Sequence, residues 1–150
     1  MGLLPTIDEK ATESNVRNYF EKEFPRLILQ AGYSMLDVQS PKFDLSGGGG
    51  QSVRNTIEDK IDGHFYAEQL VSSTIRSIRK CPSKCQRILY DVYVKGRNDI
   101  DVQLDLKYEH AQYNVVKNKA FLYFADSFQR VHDFHEYMND DDMQDWKSFV

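Results

Sequence analysis

Residues 109–119 read Glu-His-Ala-Gln-Tyr-Asn-Val-Val-Lys-Asn-Lys, and on a helical repeat these side chains divide by chemistry. Glu109, His110, Ala111, Asn114, Val115 and Asn118 share one side, mixing hydrogen-bonding groups with small apolar ones. That mixture suits the edges of bases in a major groove. Asparagine can pair bidentately with adenine, Ala111 and Val115 can meet thymine methyls, and Glu109 can accept from cytosine N4 while repelling phosphate. The expected base contacts are therefore His110, Ala111, Asn114, Val115 and Asn118. Arg97, Asn98, Lys107, Gln112, Lys117 and Lys119 lie where phosphates would pass, and such contacts set register, not sequence. Each cation taken singly is also an ordinary solvated surface charge.

Chemistry of other kinds has little to stand on. No nucleophile motif and no His-Glu-x-x-His is present, and the run Gly47-Gly48-Gly49-Gly50 lacks both a preceding strand and the following Gly-Lys-Ser/Thr of a phosphate loop. An enzyme is not expected, nor a cofactor. Cys81 and Cys85 have no second pair to complete a zinc site and read as reduced thiols. His132-x-x-His135 has carboxylates nearby but reads first as a polar helix surface, so no metal is expected.

The element that must present residues 109–119 is a pair of short helices across a tight turn, 99–119. Val102, Leu106, Tyr108, Tyr113 and Val116 occupy relative positions 1, 5, 7, 12 and 15, the apolar spacing that locks a helix-turn-helix and leaves its second helix free for a groove. An ordinary helical hairpin uses the same spacing.

The rest of the chain predicts helices near 8–31, 56–80, 83–95, 99–106 and 109–128. The first has a capping box at Thr6 and Glu9, a stripe from Val16 to Ala31, a kink or two abutting helices at Pro25, and a stop at Gly32. The long second helix, capped by Asn55 or Thr56, buries Ile57, Ile61, Phe65, Leu70, Val71, Ile75 and Ile78 and ends in Arg76, Arg79 and Lys80. Gly96 ends the third, and no strand-like alternation with hairpin signals appears. The expectation is an all-α protein with a semi-independent N-terminal helical segment (1–32), a Gly-rich linker (33–55), a helical DNA-binding domain (56–130) and an acidic tail (131–150).

The chain has 150 residues, enough for a buried core, and 41% hydrophobic residues exclude wholesale disorder. No apolar run approaches the roughly 20 residues of a membrane span, and residues 1–11 lack a signal peptide's basic start and apolar centre. A soluble, cytoplasmic protein with no membrane partner is expected. The net charge of −4 is uneven: residues 84–130 carry 8 basic and 6 acidic side chains, residues 131–150 carry 1 and 6. The presumptive reading region is thus mildly basic, which permits DNA binding.

With these pieces placed, the chain resembles the ArpU-like regulators, phage and prophage transcription factors of low-GC Gram-positive bacteria. The resemblance rests on Asn15-Val16-Arg17, Ala31-Gly32, Ser40-Pro41-Lys42-Phe43, Pro82, Arg87-Ile88-Leu89, Tyr93, Asp99-Ile100-Asp101-Val102, Leu106, Tyr108, Tyr113 and Ala120-Phe121-Leu122-Tyr123-Phe124-Ala125. It runs without gaps from about Ser83 to Ala125 and more loosely back to the N-terminus. It implies late-gene regulation in a bacterial host cell and a C-terminal half similar to the promoter-reading region four of sigma factors. Double-stranded DNA is the implied partner, with host RNA polymerase or a second copy in a homodimer as helper. A sigma-like module that binds RNA polymerase without reading DNA is the alternative. The chain departs from the family at Gln103, at Lys107 (where the turn glycine is usual), and at Ala111 and Val115 (where arginine is common), which bears on affinity and target sequence.

Overall fold

The first helix starts at Asp8, whose carboxylate accepts the amide of Ala11 at 3.1 Å. In the computed structural model, which describes residues 2–41, 43 and 63–138 (side chains from 66 onward in the last stretch), that is the N-cap. The capping box expected at Thr6 does not form, because Asp8 caps the helix two residues later; the Thr6 carbonyl accepts from the amide of Met138 at 3.0 Å. Helix α1 (Glu9–Asn18) passes through a wide π turn (Tyr19–Glu23) into α2 (Phe24–Gln30). Pro25 sits in the first turn of α2, and the Phe24 amide reaches back five residues to Tyr19. The wider turn admits a proline ring without ending the helical path. Gly32 then takes a left-handed φ of 84° and stops it.

Residues 33–55 were expected to be a linker, and their first part is not. A capping box between Ser34 and Asp37 starts α3 (Met35–Gln39), which buries Val38. The Gln39 side chain donates to the Val94 carbonyl at 2.9 Å, and the Tyr90 hydroxyl donates to the Gln39 carbonyl at 3.2 Å. Two hydrogen bonds and a buried valine thus fasten this stretch to the domain. The glycine run lies outside the described residues, as do the expected caps and first turns of the long helix. That helix, α4, is described over Gly63–Arg79 and buries Val71, Ile75 and Ile78.

Helix α5 (Ser83–Leu89) also widens into a π turn (Tyr90–Val94) before Gly96, at φ 76°. Asn98 caps α6 (Asp99–Leu106) by accepting the Asp101 amide at 2.8 Å. A three-residue turn leads to α7 (His110–Phe128). Its first residue, Lys107, has φ 61° and ψ 35°, the conformation that glycine adopts freely. The described residues are thus all helix and loop, with one isolated bridge between Ile7 and Tyr137.

The expected independence of residues 1–32 is corrected by the core. Tyr19, Phe20 and Phe24 pack with Phe121, Phe124 and Phe128 of α7 in one cluster that also takes in α4 and α5. A second, smaller cluster joins Ile88, Val102, Leu106 and Tyr113, with Val92, Tyr108 and Val116 against it.

Residues 131–138 are likewise no solvated tail. Phe134 is buried against Tyr19 and Phe128, with ring centroids at 5.1 and 5.7 Å. Asn15 donates to the Phe134 carbonyl, and Asp8 donates to that of Glu136 at 2.7 Å. The acidic run 140–142, with Trp146 and Phe149, lies outside the described residues. His135 locks this return. Its Nδ1 is 2.6 Å from Asp133 and its Nε2 2.8 Å from Asp126, so both nitrogens face carboxylates, which favours the doubly protonated ring. Burial works against that charge, but the two carboxylates outweigh it and hold the pKa above the ordinary 6.5. Burial also pushes Asp133 up, and the bonds from Tyr137 and His135 outweigh it, holding the carboxyl below its ordinary 3.8.

Two predictions follow from this architecture. Lys107→Gly should stabilise the fold by about 1 kcal/mol in urea unfolding, since it removes the left-handed strain of a side chain. The His135 clasp is strongest between about pH 4 and 6.5: a raised histidine contributes fully below its unfolded value and fades as pH climbs through the folded one, while the lowered Asp133 fades toward acid. Unfolding free energies across neutral pH should therefore fall on the alkaline side, and His135→Gln should flatten that limb.

Candidate nucleic-acid interface

Helix α7 is held by one side of its first half. Tyr113 and Lys117 point inward, and both bond the same oxygen of Asp99 on α6: the tyrosine hydroxyl at 2.6 Å and the lysine Nζ at 2.8 Å. Lys117 is only 6% exposed, and its ammonium also lies over the rings of Tyr93 (5.3 Å) and Phe121 (5.9 Å). Burial pushes the Asp99 carboxyl up, but the bonds from Lys117 and Tyr113 prevail and hold it below its usual range. Lys117 is therefore not a phosphate contact as the sequence implied. It is a buried cation that ties α7 to α6.

The other expected phosphate contacts divide. Arg97 donates to Asp105 at 2.6 Å and to Asp91 at 3.2 Å, so its guanidinium is already paired. The Asn98 side chain is the cap of α6. Lys107, Gln112 and Lys119 are exposed. The expected base contacts stay closer together. His110, Ala111, Asn114 and Val115 are all exposed, Val115 at 54%. The His110 Nε2 and the Asn114 amide nitrogen are 3.2 Å apart, one turn from each other, so the two side chains pair along the exposed side of the helix. Asn118 is half-buried, with its carbonyl oxygen 3.5 Å from Arg17 of α1, and so sits at the edge of the strip.

Residues 97–119 contain four cations (Arg97, Lys107, Lys117, Lys119) and four carboxylates (Asp99, Asp101, Asp105, Glu109), a balance of zero. Two nearby cations were passed over in the sequence, of which Arg17 is already 3.8 Å from Glu21 and only Lys84 adds to the balance. Arg17 lies 4.9 Å over Phe121, and Lys84 5.3 Å over the Tyr108 ring beside the turn. Their relevance depends on packing between helices, and no local signal marks it.

Among the described residues, no group of three histidine, cysteine or acidic side chains is arranged to hold a metal ion. Cys81 and Cys85 are both buried free thiols, and burial pushes Cys81 up to about 11. No helix among the described residues is long and apolar enough to cross a membrane. No protein-family model, no curated protein and no solved structure matches this chain.

The reassignment of Lys117 can be checked by stability. Lys117→Ala should cost about 2 kcal/mol of unfolding free energy, less than the roughly 3–5 kcal/mol of a fully buried pair because Asp99 remains half in water. Lys117→Met should recover part of the loss through packing alone. Lys119→Ala should leave stability unchanged.

Proposed function

We propose that this protein is a sequence-specific DNA-binding transcriptional regulator that places the first half of α7 in a major groove. The observation that carries the reading is the two-sided character of α7. Tyr113, Val116 and Lys117 face α5 and α6, while His110, Ala111, Asn114 and Val115 project as a rigid strip of base-compatible groups. The α6–turn–α7 unit then acts as a helix-turn-helix. Lys107 and Lys119, and Lys84 beside the turn, are exposed cations placed to meet phosphates. So few cations make a lone module a weak binder, so a stable complex uses a second half-site in a homodimer or the help of host RNA polymerase. The resemblance to ArpU-like regulators supports phage or prophage late genes as the target and activation as the outcome.

The zero charge balance of residues 97–119 favours a second reading, a sigma-like module that binds RNA polymerase without touching DNA. Footprinting on late-promoter DNA with and without host polymerase separates the two. On the DNA-reading proposal, Asn114→Ala lowers affinity for the protected site by about 1–3 kcal/mol and relaxes preference at one base pair. Lys119→Ala weakens all sequences alike and flattens the salt slope by about one counterion. Both variants should melt with the parent. If neither changes binding, α7 is not the reader.

A further inference from the structure

Arg87 on α5 and Arg97 in the loop before α6 aim two guanidinium groups at one exposed carboxylate. Arg97 Nη2 lies 2.6 Å from Asp105 Oδ2, and Arg87 Nη2 lies 3.8 Å from the same atom. Behind them is Asp91, with a side chain only 8% exposed, which holds Arg97 Nη1 at 3.2 Å, Arg87 Nε at 3.6 Å and Lys95 Nζ at 3.9 Å. The Arg97 amide donates to the Asp91 carbonyl at 2.9 Å, which fixes the loop as well. An open cleft of 300 Å³ beside Arg87 adds Ser83 and Gln86 to its lining.

The two carboxylates differ in kind. Asp91 bonds Arg97 from inside and lies within ion-pair range of Arg87, whereas Asp105 is 44% exposed and only tops them. One arginine bonded to a buried acid and a second beside it form a seat for a phosphate group. An exposed ion pair contributes little to stability, so exchanging Asp105 for another anion costs little.

We propose that Arg87 and Arg97 form a seat for a phosphodiester of the DNA backbone, and that Asp105 is its built-in occupant in the free protein. The proposal rests on the DNA-binding reading above, in which α6, as the first helix of the motif, crosses the phosphate backbone. Asp105 then acts as a brake. It neutralises the seat in free protein and repels phosphates that arrive without the rest of a cognate site, which suppresses non-specific binding.

The test compares Asp105→Asn with Asp101→Asn, which removes the same charge from an exposed position on the same helix. On a duplex of arbitrary sequence at low salt, Asp105→Asn should bind about tenfold tighter, with a salt slope steeper by about one counterion. Asp101→Asn should shift far less, and adding Arg97→Gln to Asp105→Asn should return binding to the parent level. Inorganic pyrophosphate probes the seat without DNA: it should raise the melting temperature of Asp105→Asn more than that of the parent or Asp101→Asn. Asp105→Ser provides the same readouts should the amide disturb α6. Equal shifts for Asp105→Asn and Asp101→Asn would reduce the effect to net charge and overturn the proposal, as would a missing pyrophosphate response. A pyrophosphate response with no DNA binding by any variant overturns the DNA assignment together with the reading it rests on.

Discussion

The packing of Phe124 among other rings is the contact on which the rest of the molecule depends. Its centroid lies 4.7 Å from Phe20, 5.0 Å from Phe128 and 6.2 Å from Tyr19, and Phe134 closes the group at 6.3 Å. Three separate stretches of chain, the π turn after α1, α7 and the returning 131–138 segment, meet in this cluster. Such aromatic pairs contribute about 0.5–1.5 kcal/mol each beyond the area they bury. More important for function is where the cluster sits. It anchors the second half of α7, so the first half extends beyond the main core with its outer side in water.

That first half is steadied by electrostatics instead of bulk. The second apolar cluster is small, and Asp99 supplements it by joining Tyr113 and Lys117 at a single oxygen. The Asp91 group does the same for the loop before α6. Both devices hold helices at fixed angles, and both consume cations that a DNA-binding surface would otherwise show. The result is a unit that is rigid and close to neutral. On the DNA-binding proposal, neutrality lowers the sequence-independent attraction that dominates most DNA binding and shifts the balance toward base contacts and help from a partner.

The His135 clasp has a parallel logic at the other end of α7. The imidazole held between Asp126 and Asp133 keeps Phe134 over the aromatic cluster, so a polar contact guards an apolar one beneath. The chain termini of the described region meet here, through the Ile7–Tyr137 bridge.

Sequence alone determined what depends on near neighbours. The helical class, the limits of α6 and the start and end of α7, the stops at Gly32 and Gly96, and the cluster of Val102, Leu106, Tyr108, Tyr113 and Val116 could be read because helical periodicity, caps and turn conformations are local. The exposed strip His110, Ala111, Asn114 and Val115 was legible for the same reason: its buried counterpart lies on the opposite side of the same helix. Only the tertiary structure decided which charges are free. Lys117 and Lys119 look alike in sequence, yet one meets Asp99, 18 positions away, and the other meets water. Arg97, the folding-in of α3 and the return of residues 131–138 were decided in the same way. Each depends on a partner brought close by packing, and the pattern of nearby residues does not encode that distance.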